Sequence, residues 1–308
     1  MRDIKRVVVL CGGDGAEREV SLRSGRAVAE ALRTGPFDVT EWDLRSLGEV
    51  QELREGGFDF AFIALHGDWG EDGTLQSVLS VMGLPYTGSR PAACKAAMHK
   101  GTSRVLFARA GLQVPKGLLF SVDSEVDVDA ITEFLGGHVV VKPCSGGSTV
   151  GVTLVTRPEE IPDAIDKAFL HDSGVLIEEY VAGRELTVAV LERGRKTVPL
   201  PVIEIVPRHG FYDYDNKYAA GATEYLVPAP LDEAVYARVT ADALTAHRCL
   251  ACRAYSRSDF RLSSDGVPWI LEVNTAPGMT STSLVPKAAR AAGLSFPALA
   301  RAIISASR

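Results

Sequence analysis

Apolar and polar positions in the first third of the chain fall into alternating strand and helix blocks. Val7–Leu10 is a continuous apolar run that ends at Cys11-Gly12-Gly13-Asp14-Gly15. Leu22, Val28, Ala29 and Leu32 then recur at helical spacing within residues 21–33. A second strand, Phe58–Leu65, ends in His66-Gly67, and Thr74–Met82 reads as the helix that follows it. Strands alternating with helices predict a parallel, doubly wound sheet with functional loops at the strand ends.

The middle of the chain changes character. Val139–Lys142 and Val150–Val155 read as strands on either side of Pro143-Cys144-Ser145-Gly146-Gly147-Ser148-Thr149, a hairpin tipped by a glycine-rich loop. Further strands are expected at Val175–Val181, Glu185–Glu192 and Val198–Val206, then a polar aromatic loop (Phe211–Thr223) and a helix near Asp232–His247. The pattern divides the chain into units 1–95, 96–185 and 186–308: an N-terminal parallel α/β unit followed by two α+β units. No internal repeat or low-complexity segment interrupts them.

The last hairpin carries the densest chemistry. Alternation over Tyr255–Leu262 puts Arg257 and Asp259 on one face, and Ser263-Ser264-Asp265-Gly266 is a turn. On the returning strand, straight alternation sends Trp269, Leu271 and Val273 to a core and Ile270, Glu272 and Asn274 to the opposite face. If 262 pairs with 267, Arg257 falls opposite Glu272 and Asp259 opposite Ile270. Asp259, Glu272 and Asn274 then offer the oxygen ligands that Mg²⁺ takes beside substrate phosphates. The competing interpretation is a salt bridge on a solvated sheet face, for which the Asn-Thr-x-Pro-Gly tail is unusual. Ser281-Thr282-Ser283 is placed to cap a helix running through Pro286, an anion-binding helix start.

Composition narrows the class. With 46% hydrophobic and 23% charged residues, 308 residues suffice for two or three globular units. A formal charge of −6 gives no support to nucleic-acid binding. No apolar run reaches the ~18 residues of a membrane span, and the apolar N-terminal stretch breaks into glycines, so it reads as a first strand and the protein as cytoplasmic. Five cysteines without an export signal read as free thiols. Cys249 and Cys252 form a lone CxxC without a second ligand pair, so they read as small buried hydrophobes at a helix–strand junction rather than a zinc or redox site.

Gly146 and Gly147 let successive backbone N–H groups approach phosphate oxygens, Ser148 and Thr149 add hydroxyls, and Lys142 adds a cation. Taken alone, the loop could equally be a plain hairpin turn. The N-terminal glycines do not make a dinucleotide fingerprint, because Arg18 and Val20 stand where the third glycine would be needed. Glu17 could hold a substrate ammonium or simply compensate a helix dipole, and His66 could serve a site or be a satisfied loop histidine.

Taken together, the chain resembles the D-alanine–D-alanine ligase family of the ATP-grasp superfamily, nearly end to end. The resemblance is carried by Gly-Ala-Glu-Arg-Glu-Val-Ser (15–21), Ile-Ala-Leu-His-Gly (63–67), Gly-Glu-Asp-Gly-Thr-Leu-Gln (70–76), Gly-Leu-Pro-Tyr-Thr-Gly-Ser (83–89), Val-Lys-Pro (141–143), Phe-Tyr-Asp-Tyr-x-x-Lys-Tyr (211–218) and Glu-Val-Asn-Thr-x-Pro-Gly-Met-Thr (272–280). It implies an ATP-grasp fold, with ATP sandwiched between the two α+β units. It also implies a reaction in which ATP phosphorylates one D-alanine and the amine of a second attacks the acyl phosphate, supplying a peptidoglycan precursor. The metal would be Mg²⁺ or Mn²⁺, two ions on Asp259, Glu272 and Asn274. Lys100 and Lys142 would hold the phosphates with Ser148 and Thr149, while Glu178, Val181 and Glu185 would serve the adenine and ribose side. Arg257 and the Gly278 N–H would form an oxyanion hole, and Ser283 and Leu284 would bind the acceptor carboxylate. Glu17 would hold the first ammonium, with Ser148 and Tyr218 as its partners. His66 and Lys217 would line the substrate site, and the 211–223 loop would close over it. The family also implies a homodimer.

One departure from the family is the absence of an acidic residue just before the loop glycines, which leaves the loop's tether open. Cys144 is unusual so near the phosphates, and ATP is expected to protect it from alkylation. An acceptor other than D-alanine, such as D-lactate, is the alternative activity. A nucleotide-binding regulator would be expected to have lost Arg257 or a metal ligand, and all are present. Ester-forming relatives carry phenylalanine at the position of Tyr218. The Tyr218→Phe variant is therefore expected to gain D-alanyl-D-lactate synthesis in a product assay, and no gain would remove Tyr218 as the acceptor selector.

Overall fold

The computed structural model describes residues 4–15, 17–208 and 223–308. Strands β1 (Arg6–Gly12), β2 (Asp38–Leu44) and β3 (Phe60–Ile63) form a parallel sheet in the order β2-β1-β3. Val7 to Leu10 are fully buried because both faces of β1 are covered. Val7, Val9 and Cys11 pack towards helix Arg18–Arg33, while Val8 and Leu10 pack towards helix Thr74–Met82 and the turn Leu47–Arg54. The apolar run is thus a central parallel strand with helices on both sides. It ends in glycines for steric reasons: at φ 96° a side chain on Gly12 would meet the Asp43 carboxylate at 2.2 Å.

Strands β4 (Gly117–Ser121), β5 (Val139–Pro143), β6 (Thr153–Val155) and β7 (Gly174–Glu179) form an antiparallel sheet, β4-β7-β5-β6. Its core packs against helices Val128–Leu135 and Ile161–Phe169. The hairpin around the glycine loop is therefore present, although its second strand begins at Thr153 rather than Val150.

The third sheet contains β8 (Arg184–Arg193), β9 (Lys196–Pro199), β10 (Ile203–Pro207), β11 (Thr223–Leu226), β12 (Tyr255–Leu262) and β13 (Pro268–Asn274). Its order is β11-β10-β8-β12-β13, with β9 also pairing β8. The strand expected over Val198–Val206 is split: β9 and β10 pair successive stretches of β8, with Pro201 between them unable to donate to a ladder. One face of this sheet packs on helix Glu233–Cys249. The other shares a core with the N-terminal sheet and helices Leu284–Ala291 and Phe296–Ala306, which joins the two ends of the chain.

The β12–β13 register corrects the one expected from the sequence. Leu262 pairs with Pro268 and Phe260 with Ile270; the register then shifts, so that Asp259 pairs with Glu272 and Arg257 with Asn274. Leu271 is the extra residue of a β-bulge, which reverses the strand's parity. Ile270 and Val273 both enter the core, whereas Trp269 and Leu271 are only partly buried. Straight alternation predicted the opposite for Ile270, Trp269 and Leu271. Ile270→Ala should cost about 2–5 kcal/mol in denaturant unfolding, as buried Ile truncations do, and Leu271→Ala markedly less. Equal losses would mean the bulge is absent.

Candidate active site

One cavity of about 580 Å³ lies where the three sheets meet. Its walls bring together Glu17, His66, Lys100, Lys142, Ser148, Thr149, Glu178, Val181, Glu185, Arg257, Asp259, Glu272, Asn274, Gly278, Ser283 and Leu284. Those are all the candidates chosen from sequence that fall within the described residues. Lys217, Tyr218 and nearly all of the 211–223 loop lie outside the described residues.

The glycine loop is held at three points. Ser148 and Thr149 adopt left-handed backbone, with φ 51° and 64°, a conformation that non-glycine residues keep only when their surroundings impose it. The Ser148 hydroxyl donates to Glu17 Oε1 at 2.5 Å, which links the loop to the N-terminal unit. Lys100 Nζ donates to the Gly146 carbonyl at 2.7 Å, and the Ser145 N–H donates to Asp172 at 2.6 Å. Asp172, 27 residues on, thus supplies an acidic anchor that the loop itself lacks.

Cations and carboxylates interleave along the cavity. Lys142 pairs with Glu178, and Arg104 reaches the same carboxylate at 3.5 Å. Burial pushes the Lys100 ammonium below its ordinary range, while nearby Glu272 acts against that shift. On the β12 face, Arg257 clasps Asp259 through Nε and Nη2 at 2.9 and 2.7 Å, and Thr187 Oγ1 donates to the same carboxylate at 2.5 Å. Asp259 stands directly opposite Glu272, a like-charged pair that is unfavourable without a cation nearby. The side chains of Glu272 and Asn274 make no hydrogen bond to a described residue, and among the described residues Asp259 Oδ2 accepts only from Arg257. Two carboxylates and a carboxamide with lone pairs to spare fit a hard divalent cation.

Behind the amino-acid end of the cavity runs a buried relay. His66 Nδ1 faces Glu71 at 3.4 Å, His66 Nε2 faces Ser24 Oγ at 2.8 Å, and the Met279 N–H donates to Ser24 Oγ at 3.4 Å. Burial raises the Glu71 carboxyl above its ordinary range. His66 is therefore tied to the loop after β13. Sequence inspection passed over Ser24 and Glu71, although Ser24 lies two helical turns from Glu17.

Two expectations change. Ser283 precedes helix Leu284–Ala291, but its hydroxyl makes no cap bond; it accepts from the Thr280 N–H at 3.1 Å and pairs with Thr280 Oγ1 at 2.8 Å. Cys144 is buried at the end of β5, outside the cavity wall, and burial pushes its thiol up to about 11. Proximity in sequence to the glycine loop does not expose it to a nucleotide, because the strand turns the side chain inward.

Residues 106–305 match the family model of the D-ala D-ala ligase C-terminus, and residues 42–89 that of the N-terminus. The D-alanine–D-alanine ligase of Bordetella petrii is 46% identical over 303 residues, spanning 97% of this chain and 91% of the relative. That of an Anaeromyxobacter species is 47% identical over 300 residues, spanning 97% and 96%. The crystal structure of the Bacillus anthracis D-alanine–D-alanine ligase complexed with ATP superposes with a TM-score of 0.84 at 31% identity, covering 98% of this chain and 96% of that one. The VanG D-Ala:D-Ser ligase from Enterococcus faecalis superposes with a TM-score of 0.86 at 30% identity, covering 99% and 100%.

Because the thiolate is the nucleophile and Cys144 stays protonated at neutral pH, its alkylation should be slow in the native protein and insensitive to ATP. Peptide mapping after iodoacetamide treatment checks this: rapid labelling that ATP blocks would restore Cys144 to the nucleotide site.

Proposed function

Since the chain belongs to the D-alanine–D-alanine ligase family, we propose that this cavity, on an ATP-grasp fold, joins two D-alanines at the expense of ATP, yielding D-alanyl-D-alanine for peptidoglycan. The observation that carries this reading is the continuity of the cavity. It runs from Val181 and Glu185, past Lys142 and Lys100, to Arg257, Gly278, Ser283 and Glu17. A nucleotide and two small amino acids can therefore share one continuous cavity.

Val181 and Glu185, with Glu178, meet the adenine and ribose end. Lys142, paired with Glu178, and Lys100, which donates to the Gly146 carbonyl, exchange part of those contacts for phosphate oxygens. Ser148, Thr149 and the glycine N–H groups cover the phosphates. Asp259, Glu272 and Asn274 would hold Mg²⁺ or Mn²⁺, which would offset negative charge on the transferring phosphoryl group.

The first D-alanine places its ammonium on Glu17, already oriented by Ser148, and its carboxylate attacks the γ-phosphorus of ATP, forming the acyl phosphate and releasing ADP. Attack by the second amine builds negative charge on the acyl oxygen, and Arg257 with the Gly278 N–H accepts that charge. Collapse of the tetrahedral intermediate forms the amide and expels phosphate. Ser283 and the Leu284 N–H orient the acceptor carboxylate. Among the described residues no helix is long and apolar enough to cross a membrane. A cytoplasmic homodimer is the proposed assembly.

Phosphate release from ATP and Mg²⁺ should require D-alanine and be weak with L-alanine or D-lactate as acceptor. Release insensitive to D-alanine would overturn the reading. Arg257→Ala should lower kcat on the order of 10²–10³-fold with a much smaller effect on KM for ATP, as the loss of an oxyanion donor does.

A further inference from the structure

Arg261 lies on the same face of β12 as Arg257 and Asp259, four residues from the former and therefore about 13 Å along the strand. Arg257 and Asp259 sit at the reacting end of the cavity; Arg261 sits at the end lined by Tyr180, Val181 and Glu185. Each arm of its guanidinium is engaged there. Nε donates to the Val181 carbonyl at 3.1 Å, Nη2 donates to Tyr180 Oη at 3.2 Å, and Nη1 faces Glu185 Oε2 at 3.4 Å. Its carbon centre stands 5.7 Å from the Tyr180 ring.

These contacts converge on the short connector between β7 and β8, the one covalent link from the four-stranded sheet to the third sheet. The connector is pressed onto the end of β12: at Gly183, with φ 144°, a side chain would meet the Leu262 carbonyl oxygen at 2.0 Å. On the other side, the Tyr180 N–H donates to the His138 carbonyl. The Tyr180–Val181 peptide is thus anchored on both flanks, and no described residue accepts from the Val181 N–H. A fixed donor at a purine edge suits adenine, whose N1 accepts. It opposes guanine, whose N1 carries a hydrogen.

We propose that Arg261 is the positioning residue for the base of the nucleotide: by gripping the Val181 carbonyl, the Tyr180 hydroxyl and Glu185 together, it holds the Val181 N–H and the Glu185 carboxylate where ATP is preferred over GTP. This rests on the reading of Val181 and Glu185 as nucleotide contacts. A lysine keeps the charge but cannot reach three acceptors in one plane, so geometry and charge are separable.

The test compares Arg261→Lys, Arg261→Met and Glu185→Gln with the unaltered protein, recording kcat, KM for ATP, GTP and D-alanine, ADP affinity by calorimetry, and Tm. Both Arg261 variants should raise KM for ATP on the order of tenfold, with a parallel loss of ADP affinity, since one or two charge-assisted hydrogen bonds are lost. The ATP-to-GTP ratio of kcat/KM should fall, while kcat and the KM for D-alanine stay within about twofold. An unchanged ATP KM and ATP-to-GTP ratio in both variants would overturn the proposal, as would equal damage to the D-alanine KM, which marks a general structural role. If Glu185→Gln raises the ATP KM and the Arg261 variants do not, the proposal alone falls. If Glu185→Gln has no effect on ATP KM or ADP affinity, the nucleotide reading of this corner falls, and the proposal with it.

Discussion

The register of β12 between β8 and β13 is the constraint on which the site depends. Antiparallel pairing on both sides sets Asp259 beside Thr187 on one strand and Glu272 on the other, and Arg261 beside Glu185. A slip of one residue would turn Arg257, Asp259 and Arg261 into the core and bring Phe260 and Leu262 to the cavity. The buried face of the same strand prevents this, because Ser258, Phe260 and Leu262 pack under helix Glu233–Cys249. Core packing and site geometry are two faces of one strand.

The bulge at Leu271 resolves a conflict within β13. Ile270 and Val273 both contribute to the core, yet they are three residues apart and would lie on opposite faces of a regular strand. One extra residue reconciles them, and its by-product is that Leu271 and Glu272 both border the cavity. The acidic pair Asp259–Glu272 is thereby brought face to face. Arg257 and Lys100 supply the opposing charge, and the desolvation of Lys100 shows how far this region lies from bulk water.

Closure of the cavity depends on bonds made between distant parts of the chain. Glu17, Ser148, Lys100 and Asp172 come from four separate segments and meet at a loop whose strained backbone needs them. A side-chain network of this kind holds the loop near the N-terminal unit, and the relay from Glu71 through His66 and Ser24 does the same for the loop that follows β13.

Local sequence determined the elements that local physics controls. The doubly covered strand Val7–Leu10, helix Thr74–Met82 and the glycine-tipped hairpin follow from apolar runs, helical spacing and turn residues. The cluster of Arg257, Asp259, Glu272 and Asn274 follows from strand alternation, and the family motifs pointed to most of the remaining cavity wall. Tertiary structure alone decided the bulge, since one core that takes in both Ile270 and Val273, three residues apart, leaves no trace in a pattern of period two. It also decided the burial of Cys144 and the anchoring of the loop by Asp172, both of which depend on packing between segments. Arg261 was visible as a same-face neighbour of Asp259, but its partners Val181 and Glu185 lie about 80 residues away along the chain, and only folding brings them within reach.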